Sequence, residues 1–284
     1  MKAQNIFIAG SKGQLGKALC ERYPLAQAVD IEELDITNAQ QVDDYNWSDT
    51  QVIINAAAYT NVDGAETPEG RRTAWSVNAL AVANLARVAI HNEILLVHIS
   101  SDYVFDGTKA PHKENETFSP LNVYGASKAA ADIAVSQVAN NYLLRSSWVI
   151  GDGKNFVRTM LDIAKKGKEP TVVSDQIGRP TFTSVLVDAI DFLLEHQAAY
   201  GIYNVSNDGK VVSWADFCRQ IFKLAGYNNQ VKDISTKNYF AGKENVATRL
   251  LNSVFDLSKI KSLGFEPKEW QEDLKIYIDQ ELNK

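Results

Sequence analysis

Ile6-Phe7-Ile8-Ala9-Gly10-Ser11-Lys12-Gly13-Gln14-Leu15-Gly16 is the stretch that decides how this chain folds. The apolar run, read over residues 4–9, suits a parallel strand buried on both faces. Leu15, Leu19 and Tyr23 then recur at helical spacing. A strand, a glycine loop and a helix in that order form a phosphate cradle. The glycines let backbone N–H groups approach a pyrophosphate, and the helix N-terminus adds partial positive charge. Gly10, Gly13 and Gly16 are therefore candidate dinucleotide contacts. Their spacing is G-x-x-G-x-x-G rather than the commoner G-x-G-x-x-G, and a turn that only packs helix on strand is the plainer alternative.

Working outward, a second strand is expected over 26–30. It ends in Asp30, twenty residues after Gly10, where an acid accepts hydrogen bonds from adenosine ribose hydroxyls. Asp30 favours NADH, whereas Lys12 in the loop would favour the 2′-phosphate of NADPH, and both cofactors stay open. Strands are also expected at 52–54, 95–99 and 142–144, with helices between them to about Trp47, over 73–91 and around Tyr124. Small residues follow the third strand, Asn55-Ala56-Ala57-Ala58-Tyr59-Thr60, where an open α/β sheet receives ligands. His98 alternates within its strand and reads as a packed core residue. This alternation predicts an α/β fold with a Rossmann-type, doubly wound parallel sheet.

The second half is more mixed. Helices are expected at 155–166, 184–196, 213–225 and 270–282, short strands at 171–174 and 202–205, and a polar loop at 235–249. Ser213-Trp214-Ala215-Asp216 reads as a capping box. The expected division is a dinucleotide-binding domain over 1–146 and a smaller α+β substrate domain over 147–284, with part of 175–225 returning to the first.

Tyr124-Gly125-Ala126-Ser127-Lys128 places a phenol and an ammonium one above the other on a helix face. A nearby cation favours the phenolate. Moving a tyrosine from ~10 toward neutrality asks for about 4 kcal/mol. Such a pair would be a proton donor or acceptor for an alcohol/ketone couple.

Composition bounds the remaining choices. At 284 residues, with 45% hydrophobic and 23% charged residues, the chain buries a large core without staples. A net charge of −6 argues against nucleic-acid binding. Cys20 and Cys218 fit no metal or redox spacing, and the acidic residues are scattered, so no protein-bound metal is expected. No signal peptide or membrane span is read from the apolar runs, so a cytoplasmic location without membrane partners is expected.

The motifs together resemble the extended short-chain dehydrogenase/reductase superfamily and, within it, the dTDP-4-dehydrorhamnose reductase family. The resemblance rests on the glycine loop, Leu34-Asp35-Ile36-Thr37, Asn55 to Asp63, Ser101 to Gly107, Pro120 to Gly125 and Arg145-x-Ser147-Trp148-Val149. It also rests on Asn155 to Met160 and Asp175 to Thr181. It implies reduction of a dTDP-sugar 4-keto group with NADPH or NADH, by a monomer or homodimer. Tyr124 would donate the proton, Lys128 would hold the nicotinamide ribose and acidify the phenol, and Ser101 would steady the substrate oxygen. Gly10, Gly13, Gln14, Leu15, Gly16, Asp30, Asp35, Ile36, Ala58, Tyr59 and Thr60 would line the cofactor, and Asp102 and Trp148 the sugar. The chain departs from the family pattern at Ser101 for threonine, Ala131-Asp132 for Gly-Glu and Arg249-Leu250 for Arg-Pro.

Rival readings are another sugar-nucleotide reductase or epimerase, and a non-catalytic subunit resembling the regulatory subunit of methionine adenosyltransferase. A 4,6-dehydratase is disfavoured, because Tyr103 stands where that reaction needs a further acid. Retention of Ser101, Tyr124 and Lys128 together favours catalysis over binding alone.

Overall fold

A computed structural model describes residues 5–283; Gln4, in the expected first strand, lies outside the described residues. Strands β1 (Ile6–Ala9), β2 (Gln27–Val29), β3 (Val52–Asn55), β4 (Leu95–Ser101) and β5 (Asn141–Ser146) join the strand Gly201–Asn204 in one sheet. The order is 201–204, β5, β4, β3, β1, β2, and every pairing is parallel. The order reverses between β1 and β3, and there the crevice for a ligand opens. Every residue of β1, β3 and β5 is buried, which is why these strands read as apolar runs without alternation.

The helices are α1 (Gln14–Arg22), α2 (Ala39–Asp44), α3 (Pro68–Trp75), α4 (Ala81–His91), α5 (Val123–Val135), α6 (Phe156–Lys165), α7 (Thr183–Glu195) and α8 (Trp214–Leu224). The short α9 (Thr236–Phe240) and α10 (Ser258–Ser262) precede the last, α11 (Trp270–Leu282). One sheet face, with Ile6, Ile8, Val97 and Leu144, packs on α1 and α7. The other, with Phe7, Ile53, Leu96 and Leu143, packs on α4 and α5. A separate core joins α6, α8 and α11 through Val157, Met160, Phe217, Ile221, Trp270 and Leu274. Short pairings tie this second core together, including Val149–Ile150 with Thr181–Phe182 and Lys232–Ile234 with Thr171–Val173. Strand 201–204 and helix α7 belong to the first core although in the chain they lie between α6 and α8 of the second.

Two expected boundaries are corrected. The helix expected from 73 begins at Pro68, where Thr67 caps the Gly70 N–H and proline takes the first turn. Between α3 and α4, residues Ser76–Leu80 form a π turn, a bulge common at functional sites. The stretch 235–249, expected to be all loop, contains α9, opened by a bond from the Asn238 N–H to Ser235. Of the expected capping box, the N-cap half forms: Ser213 Oγ accepts from the Asp216 N–H at 3.0 Å and donates to Asp216 Oδ2 at 2.9 Å.

Gly16 lies under the loop instead of facing the crevice. A Cβ there would fall 2.0 Å from the Gly10 carbonyl oxygen. Gly16→Ala is therefore expected to destabilise the fold by about 1–3 kcal/mol, the usual scale of overpacking. A urea titration showing an unchanged midpoint would contradict this.

Candidate functional site

A cleft of about 780 Å³ opens at the carboxyl ends of β1, β3, β4 and β5. Its floor at one end is the glycine loop. Gly10 has φ 81°, and a Cβ there would lie 2.6 Å from Ala57 Cα and N. Only glycine permits both the left-handed turn and that approach. Gly13 is the N-cap of α1 and offers no side chain, so the first N–H groups of the helix are left for a ligand. A dinucleotide pyrophosphate fits that chemistry. Gly10, Gly13, Gln14, Leu15, Asp30, Asp35, Ile36, Ala58 and Thr60 all line the cleft.

Two expected contacts, Gly16 and Tyr59, are not on its lining. Gly16 is covered by the loop itself. Tyr59 turns away toward Gly64 and Gly70, and its backbone is held from both sides by Asn78, at 2.8 and 3.1 Å.

At the other end stand Ser101, Asp102, Tyr124, Lys128 and Trp148, brought from β4, α5 and the turn after β5. α5 is aimed by its cap, because Asn122 Oδ1 accepts the Gly125 N–H at 2.8 Å and Glu66 accepts the Val123 N–H at 2.9 Å. Gly125 lets the helix lie flush on the turn after β4; a Cβ there would be 2.1 Å from the Tyr103 carbonyl. Ser101 Oγ donates to Asp102 Oδ1 at 2.9 Å, and its hydroxyl favours the ionised form of the Tyr124 phenol. Trp148 holds a left-handed backbone, φ 49°, and stacks on Trp214 with centroids 3.7 Å apart. That strained conformation fixes the indole at the cleft wall.

The electrostatics correct one expectation. Lys128 does not acidify the phenol: burial pushes Tyr124 up to about 12, Ser101 opposes this, and Asp102 and Asp132 add to it. The reason is where the ammonium points. Lys128 Nζ donates to the Ile99 carbonyl at 2.7 Å and lies 3.2 Å from His98 Nε2, behind the phenol. Burial drives Lys128 down to about 8, against the pull of Asp132.

Sequence reading missed three supports of this arrangement, Asn55, His98 and Asn78. Asn55 Oδ1 accepts the Ala57 N–H at 3.1 Å, which leaves its Nδ2 to donate to His98 Nδ1 at 3.1 Å. The ring proton of His98 then sits on Nε2, so this nitrogen can pair with Lys128 only when the lysine is uncharged, the form that burial favours. His98, held well below its ordinary range by burial, stays neutral. Asn78, in the π turn, donates to Ser127 Oγ at 3.0 Å and so anchors α5 from the opposite side. Lone asparagines and a strand histidine carry no motif, and only the sheet register puts His98 beside Asn55.

The segment after 244 packs beside this end without lining the cleft. Arg249 pairs with Asp63 at 2.8 Å, and buried Leu250 packs on Gly107. Gln14 Oε1 accepts the Gly151 N–H at 2.9 Å, tying the glycine loop to the second core.

Asp102 is 2% exposed, and burial pushes it up from 3.8 to about 6 despite the opposing effect of the Ser253 and Ser101 hydroxyls, of which Ser101 donates to it. At pH 7 its charge therefore costs the fold about 3 kcal/mol. Asp102→Asn keeps an acceptor for Ser101 and removes that cost. Its midpoint in thermal unfolding should rise at pH 7. The advantage should shrink below pH 6 and vanish near pH 4, because the wild-type carboxyl is then protonated in the fold. A pH-independent difference would contradict this.

The family model described as "RmlD substrate binding domain" matches residues 4–283. A dTDP-4-dehydrorhamnose reductase of Aggregatibacter actinomycetemcomitans is 39% identical over 290 residues, spanning 95% of this chain and 97% of the relative. The crystal structure of a Clostridium acetobutylicum dTDP-4-dehydrorhamnose reductase superposes with a TM-score of 0.90 at 34% identity, over 97% and 98% of the two chains. That of the Bacillus anthracis enzyme in complex with NADP gives 0.89 at 35% identity, over the same shares. With the glycine loop and the Ser101, Tyr124 and Lys128 side chains in one cleft, and likeness along nearly the whole length, this chain belongs to the dTDP-4-dehydrorhamnose reductase family.

Proposed function

We propose that this chain reduces the 4-keto group of dTDP-4-dehydro-L-rhamnose to give dTDP-L-rhamnose, with NADPH or NADH as reductant. The observation that carries the reading is the single cleft, with phosphate-binding backbone at one end and a proton-donating set at the other. The dihydronicotinamide, when bound, supplies the hydride that adds to C4. The glycine loop and the N-terminus of α1 hold the pyrophosphate, and Asp30, Asp35 and Ile36 bound the adenosine end.

The carbonyl π pair moves to oxygen as the hydride arrives, and Tyr124 passes its phenolic proton to that oxygen. A phenol kept protonated by burial is the right starting state for this step, because an alkoxide is the stronger base. Ser101 directs its hydroxyl at the same oxygen and steadies its growing charge. Lys128 holds the ribose. Asp102 and Trp148 orient the sugar ring. We also infer a two-lobe division: residues 5–146 with α7, strand 201–204 and the stretch 255–265 form the dinucleotide lobe, and the remainder forms the sugar-nucleotide lobe. The separate cores support it.

The reading is tested by following loss of NADH or NADPH absorbance with the keto sugar; absence of sugar-dependent oxidation with either cofactor would refute it. Tyr124→Phe should lower the rate by about 10²-fold or more while leaving dinucleotide binding intact. Lys128 carries its charge below about pH 8. Dinucleotide affinity should therefore fall as pH rises through 8, and Lys128→Met should bind weakly with no such step. Calorimetric titration across pH 6–9.5 reads both.

A further inference from the structure

We propose that this chain binds NADH more tightly than NADPH, and that Asp30 together with the Lys12–Glu32 pair makes the choice. The proposal rests on the cleft being the dinucleotide site and deepens that reading. NADPH differs by one phosphate on the adenosine 2′ oxygen, a group of about −1.5 to −2 charge at pH 7. The catalytic groups follow β4, whereas Asp30 follows β2, three strands across the sheet and about 14 Å away at the usual strand spacing. The adenosine ribose therefore falls at the β2 end.

The charges there are fixed by bonds. Asp30 Oδ2 accepts the Lys12 N–H and Oδ1 the Ile31 N–H, each at 2.9 Å. That holds the carboxylate beside the glycine loop with lone pairs left for ribose hydroxyls. Lys12 is the one cation in the loop that would meet a 2′-phosphate. Its Nζ is already taken by Glu32 at 2.7 Å, with Glu33 at 3.9 Å. Glu33 is tied in as well, accepting the Asp30 N–H at 2.9 Å. Glu32 and Lys12 hold each other charged, Glu32 lowered and Lys12 raised.

Asp30, Glu32 and Glu33 thus outnumber one lysine at this end, and no arginine lines the cleft among the described residues. Of the other cleft lysines, Lys128 stands at the catalytic end, and Lys17 and Lys154 stand by the 151–154 turn, with Lys17 paired to Asp152 at 2.8 Å. The exposed Lys12–Glu32 pair is weak by itself. A 2′-phosphate that displaced Glu32 would still face three carboxylates, so the discrimination comes from repulsion of the wrong ligand.

The test is equilibrium binding to the full chain without sugar, read by tryptophan fluorescence, with NADH and NADPH titrated separately. At low ionic strength NADH should bind about tenfold more tightly or better. The gap should narrow at about 0.3 M salt, where the Debye length is short. The double variant Glu32→Gln, Glu33→Gln frees Lys12 and should tighten NADPH by about tenfold, with NADH changed less than about twofold. Circular dichroism checks that this surface variant is folded. Equal or tighter binding of NADPH to the unaltered chain, or an unchanged ratio in the folded variant, would overturn the proposal and leave the reductase reading standing. Binding of neither dinucleotide would overturn both.

Discussion

The contact between Gly10 and Ala57 governs the rest of this structure. Two parallel strands leave the sheet side by side there and turn apart, and the space between them is the cofactor crevice. The backbones approach so closely that any Cβ on Gly10 would overlap the Ala57 main chain. α1 is then held against the loop by Gly16, whose missing side chain admits the Gly10 carbonyl. Unpaired helix N–H groups are thereby placed at a fixed height above the sheet edge, and the anion site follows from that placement.

A second constraint runs beneath the catalytic end. Burying a lysine without partners is costly, and Lys128 is 1% exposed. Its nitrogen donates to the Ile99 carbonyl, and the His98 ring, which Asn55 orients, lies 3.2 Å from it. This polar chain passes through the sheet between β3 and β4 and fixes the lysine behind Tyr124. Asn78 does the same for the opposite flank of α5 through Ser127. The π turn that carries Asn78 is a local irregularity maintained by its bonds to the Tyr59 backbone. Beneath them, Asp132 and Arg145 form a buried pair at 3.0 Å, each 1% exposed, with the guanidinium over Phe105 and Phe118. The Ala131-Asp132 departure from the family's Gly-Glu is therefore accommodated by a charge partner on β5.

The later part of the chain is threaded through both cores. α7 and strand 201–204 complete the sheet, whereas α6, α8 and α11 build the wall that carries Trp148. Arg249 and Leu250 return across to Asp63 and Gly107. The catalytic end is consequently supported by segments far apart in the sequence. Leucine in place of the family's proline at 250 fills a buried position there, so the strap keeps its place by packing.

The sequence by itself determined the parallel sheet, the glycine loop, the Tyr124–Lys128 helix and the helices of the second half. Those features depend on local periodicity, turn chemistry and spacing, which are written in neighbouring residues. The family was legible for the same reason, since its motifs are short and contiguous. Tertiary structure alone decided the direction of the Tyr124 and Lys128 shifts, because desolvation depends on what covers a group and spacing along a helix does not report it. It also decided that Gly16 and Tyr59 face away from the cleft, that Asn55, His98 and Asn78 support it, and that Glu32 holds Lys12. Each of these is set by strand register and by segments far apart in the chain, where no local pattern reaches.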